Sequence, residues 1–189
     1  MYIKEQSKII GWDDGPFDFE QEEEVPVVGA ITRGGNRLDG VIKTAIEKDG
    51  LNGTDRLISA INTSRYREDI SLIMLDGITF AGFNVIDIKL LANRTEIPVI
   101  AATRKRVNLE SFRAALRNLP EFQRRWESVN RAGKIFETSI RGSLIYYQTS
   151  SIDHDDAERA ISITARHSST PEPIRLADMI ASSFVSGES

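Results

Sequence analysis

The sequence predicts an α/β domain, a mixed five-stranded sheet flanked by helices. Strand-length apolar runs crowd the first quarter of the chain, two further runs are apolar on both faces, and helical stripes separate and follow those two. Runs at Lys8–Asp13, Val27–Thr32 and Leu38–Glu47 are joined by turn-rich links, an acidic stretch with Pro16 and Pro26 and the cluster Arg33-Gly34-Gly35-Asn36-Arg37. Links of that kind predict an antiparallel meander. Ile70–Leu75 and Pro98–Thr103 are continuous apolar runs, as parallel strands covered on both sides require. Hairpin-length links early and helix-length links later place the first strand between the second and the fourth.

The helices follow from caps and stripes. Thr54 is placed as the N-cap of a helix over about 55–64, with Leu57, Ile58 and Ile61 on one face. Asn84 and Asp87 resemble a capping pair before the stripe Val85, Ile88, Leu91 and Ala92. Asn108 caps a helix carrying Leu109, Phe112 and Leu116, and Pro120 opens another with Phe122, Trp126 and Val129. These aromatic residues read as core stripe before stacking platform. A short strand at Leu144–Gln148, a helix over Asp153–Arg166 and a last helix over Pro171–Phe184, capped by Thr170, complete the chain. All 189 residues fit one domain.

Composition narrows the chemistry. With 40% hydrophobic and 28% charged residues the chain has the makings of a core, and disorder is excluded. No apolar run approaches the roughly 18–20 residues of a membrane helix, and Met1–Asp14 has no signal-peptide pattern, so a cytoplasmic protein with no membrane partner is expected. The absence of cysteine excludes disulfides and thiolate zinc sites. His154 and His167 are too few for a histidine-rich site and read as structural, at the two ends of one helix. Any metal is therefore expected to be hard, oxygen-ligated Mg²⁺ or Mn²⁺.

The net charge of −4 hides an asymmetry. Asp13–Glu24 holds seven carboxylates and no base, whereas Arg104–Arg141 holds ten bases against four acids. That basic lobe either meets phosphate or pairs with the acidic run Glu20–Glu24.

Two aspartates carry the strongest chemical signal. Asp13, or Asp14 beside it, ends the first strand and Asp76 ends the fourth, so neighbouring strands bring their carboxylates to one sheet edge. Carboxylates that close repel unless a divalent cation neutralises them, which suits metal-assisted phosphodiester hydrolysis. This arrangement in this topology is that of the ribonuclease H-like fold.

The motifs Gly11-Trp12-Asp13-Asp14, Leu75-Asp76-Gly77-Ile78-Thr79-Phe80-Ala81-Gly82-Phe83-Asn84-Val85-Ile86-Asp87 and Pro171-Glu172-Pro173-Ile174-Arg175-Leu176-Ala177-Asp178 together resemble an archaeal family of uncharacterised proteins related to endonuclease V. The resemblance covers nearly the whole chain. It implies a ribonuclease H-like fold and a metal-dependent, endonuclease V-like nuclease hydrolysing phosphodiester bonds in DNA or RNA. It also implies Asp13 and Asp76 as metal ligands. Endonuclease V has a further ligating Glu with no local match here; Asp55 is the nearest carboxylate in chain order, and a helix-dipole role explains it better. Asp178 stands where relatives tend to carry His. Asp14 and Asp178 are accordingly expected to support the two metal ligands. Thr79, Phe80, Gly82, Phe83 and Asn84, on the loop after Asp76, are expected to contact substrate, and Arg104 and Arg106 to meet phosphate. The competing reading is a non-catalytic nucleotide or nucleic-acid-binding module that keeps the fold without the Glu and His.

Overall fold

A computed structural model describes residues 3–17 and 23–186 of the chain. It opens on the meander β1 (Lys8–Asp14), β2 (Glu24–Arg33) and β3 (Arg37–Glu47), followed by α1 (Gly53–Asn62) and β4 (Ile70–Asp76). A two-rung hairpin, β5 (Thr79–Phe80) and β6 (Asn84–Val85), leads into α2 (Ile88–Thr95) and β7 (Val99–Thr103). Then come α3 (Leu109–Leu116), α4 (Phe122–Ala132), the hairpin β8 (Phe136–Ile140) and β9 (Ser143–Ser150), α5 (His154–Thr164) and α6 (Glu172–Ser186). No helix among the described residues is long and apolar enough to cross a membrane.

The main sheet runs β3-β2-β1-β4-β7-β9-β8. As predicted, β1 lies between β2 and β4, antiparallel to the first and parallel to the second. The sheet has seven strands rather than five, because the β8–β9 hairpin adds to the far edge, with β9 antiparallel to β7. The sequence reading missed β8 for a physical reason. This edge strand is five residues long and its central inward residue is Thr138, between Phe136 and Ile140, so its apolar alternation is short and interrupted.

Alternation along the central strands builds a core on each face. Ile10, Trp12, Ile73, Leu75 and Val99 pack with Leu57 and Ile61 of α1 and Leu91 of α2. Ile9, Leu72, Met74 and Ile100 pack with Ala157 and Ile161 of α5 and Ile174 of α6. Successive side chains point to opposite faces, which is why these runs contain no polar rhythm.

Two predicted caps move. Asp87 caps α2, accepting the amides of Lys89 and Leu90 at 3.1 Å, and Asn84 lies instead in β6. Thr54 gives no cap to α1; its hydroxyl accepts the Asp87 amide at 2.9 Å and ties α1 to the start of α2. Asn108 caps α3 as expected.

The seat of α6 decides the site. A methyl group on Gly11 would overlap the Pro173 carbonyl group, and one on Gly15 would lie 2.7 Å from the Ala181 oxygen. Only glycine at both positions lets the helix rest directly on the end of β1. Asp178, midway between those two contacts, is thereby delivered to the same end of the sheet as Asp13.

Candidate functional site

The β1–β4 register pairs Trp12 with Leu75, so Asp13 and Asp76 are the next residues of two parallel neighbours, at their C-terminal ends. Ends of this kind are where open α/β sheets place ligands. Asp13 is 8% exposed, and one of its oxygens accepts the Asp14 amide at 2.9 Å. Asp14 accepts the amide of Ala81 at 2.8 Å through Oδ2.

Burial and mutual repulsion oppose the ionisation of Asp13, Asp14 and Asp76, with Asp178 adding to the repulsion. Burial holds Asp13 well above the usual carboxylate range, and repulsion from Asp76, Asp14 and Asp178 adds to it. Asp14 is raised by burial, with the Ala81 amide pulling the other way. Asp76 is pushed up to about 6, first by burial and then by Asp14 and Asp178, against the opposing pull of Arg104 and Lys105. Asp76 is solvent-accessible, yet the concave protein around it still limits hydration of its charge.

Four carboxylates whose mutual repulsion Arg104 and Lys105 only partly offset supply hard oxygen donors that fit a divalent cation of the Mg²⁺ or Mn²⁺ type. Among the described residues, no three His, Asp or Glu side chains already stand in ligand geometry. The fit is therefore one of donor chemistry, and an ion would have to draw the side chains together.

Two clefts meet at this edge. One, about 460 Å³, is bordered by Ala101 on β7, Tyr146 and Gln148 on β9, and Phe112, Trp126 and Val129 of α3 and α4. The other, about 620 Å³, is bordered by Arg104, Ser168, Thr170, Arg175 and Asp178. Asp13, Asp14, Asp76, Thr103 and Lys105 belong to both.

The loop after Asp76 divides differently from expectation. Thr79 lines the first cleft. Phe80 is 1% exposed and sits in the core, so it offers no face to a base. Asn84 is fully buried: its oxygen accepts the Gly53 amide at 3.0 Å, and its nitrogen donates to the Glu47 carbonyl and to Asn52 Oδ1, each at 3.0 Å. Phe83 packs against Phe112 with ring centres 5.8 Å apart, and neither it nor Gly82 borders a cleft. Asn84 and Phe80 thus hold the hairpin to the body of the protein, a role their loop position in the sequence concealed.

The basic lobe is largely occupied elsewhere. Arg131 pairs with Asp87 at 2.7 Å, Arg141 donates to the Ala165 and Arg166 carbonyls, and Arg113 and Arg117 lie over the rings of Trp126 and Phe122. The alternative pairing with Glu20–Glu24 falls partly outside the described residues; within them, Glu24 pairs with Arg56 at 3.5 Å. Arg104 and Lys105 remain without an ion pair among the described residues and border the clefts. Arg106 lines neither, lying with Asn108 at an adjoining open surface that shares Val107 with the first cleft. Asp55 is exposed on α1 and borders neither cleft.

Sequence reasoning missed Lys105, Phe112, Tyr146 and Gln148, and it assigned Trp126 to the core. Trp126 is half-buried, packed beside the Val85, Leu116 and Val129 cluster while also facing the cleft. On β9, Tyr147 points into the opposite core, so Tyr146 and Gln148 share the cleft face. That period-two pattern was legible, but which face had a cleft was not.

Known proteins agree with this architecture. The family model described as Endonuclease dU matches residues 5–185. The chain belongs to that family. A UPF0215 protein of Methanothermobacter thermautotrophicus is 44% identical over 188 residues, covering 99% of this chain and 92% of that protein. The crystal structure of an Archaeoglobus fulgidus protein superposes with a TM-score of 0.87 at 37% identity, over 96% of this chain and 99% of that one. Endonuclease V from Ciona intestinalis, solved with a DNA containing inosine, superposes with a TM-score of 0.63 at 10% identity, over 96% of this chain and 86% of that one. At that identity the likeness shows the fold, which is the ribonuclease H-like nuclease fold expected from the aspartate positions.

Proposed function

We propose that this member of the Endonuclease dU family is a Mg²⁺- or Mn²⁺-dependent phosphodiesterase that cleaves nucleic acid. The observation that carries the reading is the junction of the two clefts, one polar and one aromatic, at the Asp13–Asp76 edge. Phosphate and nucleobase differ in the same way, and the bond to be cut lies beside both.

Asp13 and Asp76 would hold the cation, with Asp14 and Asp178 beside them. The bound ion would supply an activated water and neutralise charge on the departing oxygen. The remaining steps belong to the protein. Lys105, common to both clefts, places its ammonium where a phosphate oxygen would pass between them. Arg104 and the hydroxyls of Ser168 and Thr170 line the polar side, suited to the flanking backbone. Trp126, Phe112 and Tyr146 offer flat apolar surface to a base removed from its stack.

The family's name puts deoxyuridine-bearing DNA first among substrates, with inosine-bearing and undamaged DNA and RNA as comparisons. Cleavage of one of these with Mn²⁺, and none by Asp76→Asn, supports the reading. The second reading, a non-catalytic binding module, draws on the absence of a preformed three-donor group among the described residues. Tight binding of the same strands with no cleavage under any divalent ion would establish it instead.

A further inference from the structure

The turn that presents an amide to Asp14 is itself held by a buried guanidinium. Arg125 on α4 is 2% exposed and spends its donors on four carbonyl oxygens: Pro120 at 3.0 Å, Gly50 at 2.8 Å, Phe83 at 2.7 Å and Asp49. Three separate segments are gathered by one side chain. Asp49, at φ +51°, donates its amide to the Ala81 oxygen at 2.8 Å and accepts the Phe83 amide at 2.8 Å through Oδ1. Ala81 is also left-handed, at φ +47°, and its amide reaches Asp14 Oδ2 at 2.8 Å. Side-chain-bearing residues keep such a conformation only where their surroundings impose it. The imposing surroundings here are Asp49 and, behind it, Arg125.

We propose that Arg125 is a positioning residue for the carboxylate cluster. By clamping the 49–50 and 81–83 turns it fixes the amide that orients Asp14. It also joins the metal edge to α4, whose next residue, Trp126, borders the aromatic cleft. A planar fork of five donors suits this task, and a lysine ammonium, with three donors on a flexible stem, does not. The proposal rests on the cation reading of the site, so its test reads the clamp and the cation separately.

The experiment uses the full chain and its Arg125→Met, Asp49→Gly and Asp49→Asn variants. Hydrogen exchange at the Ala81 amide reports the clamp, and calorimetric titration with Mn²⁺ reports the cluster. Arg125→Met and Asp49→Gly should each speed Ala81 exchange and weaken Mn²⁺ binding by about tenfold, the range for residues that orient metal ligands. Asp49→Gly tolerates the positive φ, so it keeps the backbone and removes the grip on Phe83 together with the charge near Arg125, and Asp49→Asn removes that charge alone. Asp49→Asn keeps an acceptor for that amide and should retain wild-type values for both readouts.

A folded Arg125→Met protein with unchanged Ala81 exchange overturns the proposal. So does a loosened Ala81 with wild-type Mn²⁺ affinity. Should Arg125→Met fail to fold, the Asp49→Gly and Asp49→Asn pair decides by the same criteria. A wild-type chain that binds no Mn²⁺ sinks the cation reading, and Ala81 exchange in the variants then settles whether Arg125 holds the Asp14 partner.

Discussion

The cleft bordered by Arg104, Ser168 and Thr170 carries charge and hydroxyls, whereas its neighbour, bordered by Phe112, Trp126 and Tyr146, carries flat apolar surface. The two share the aspartates and Lys105. The contrast shows how one sheet edge can present unlike surfaces: the polar cleft draws on the loop after β7 and the start of α6, and the aromatic one on β9 and the α3–α4 pair. Under the proposed function, the first would govern salt-dependent affinity, the second selectivity, and the seam the rate.

The largest expected effect breaks the seam. Asp76→Asn should reduce single-turnover cleavage by about 10²–10³-fold, the scale on which removing a group that stabilises transition-state charge is felt. Mn²⁺ titration of the same variant should show lost binding. Cleavage at the wild-type rate would remove Asp76 from the site.

A smaller effect isolates the aromatic side. Trp126→Ala should weaken binding of a short single strand by roughly tenfold or more, because base–aromatic stacking contributes about 1–3 kcal/mol per base. The loss should appear in KM before kcat and should be the same at low and high salt. A loss that vanishes at high salt would mean that Trp126 acts only by supporting Arg113, which lies 5.1 Å over its ring.

The polar side should answer in the opposite way. Lys105→Ala should flatten the logarithmic salt dependence of binding by about one unit, as one neutralised phosphate requires. Arg106→Ala should leave the slope unchanged, since Arg106 borders neither cleft. Anisotropy across a salt series measures both.

The smallest effect concerns stability. Asp76 is pushed up to about 6 in the folded protein against 3.8 for an ordinary aspartate carboxyl. Between these values the folded state binds more protons than the unfolded one, so stability from this group is full below about pH 4 and is lost as pH rises through about 6. The metal-free wild type should therefore lose melting temperature across that window relative to Asp76→Asn, and Mg²⁺ should narrow the gap. Parallel melting curves for the two proteins from pH 4 to pH 7 would contradict the burial and repulsion assigned to Asp76.

How much could be read in advance depended on whether the deciding interactions were local. The meander, the two-faced strands β4 and β7 and the Asn108 cap were legible because apolar period, turn residues and capping oxygens act within a few positions. The aspartates were legible because strand order follows from link length. Asn84 was misread because its oxygen serves Gly53, 31 positions away, and nothing in its neighbourhood records that partner.

By itself, the sequence determined a mixed sheet with acidic strand ends, an Mg²⁺- or Mn²⁺-compatible donor set and an excess of cations over Arg104–Arg141. Tertiary structure alone decided which of those cations face the aspartates, since Lys105 and Arg125 are indistinguishable as charges and differ in burial. It also decided that β9, α3 and α4 enclose an aromatic cleft. A cleft is the space left between elements whose packing joins residues tens of positions apart, and no local pattern in the chain encodes it.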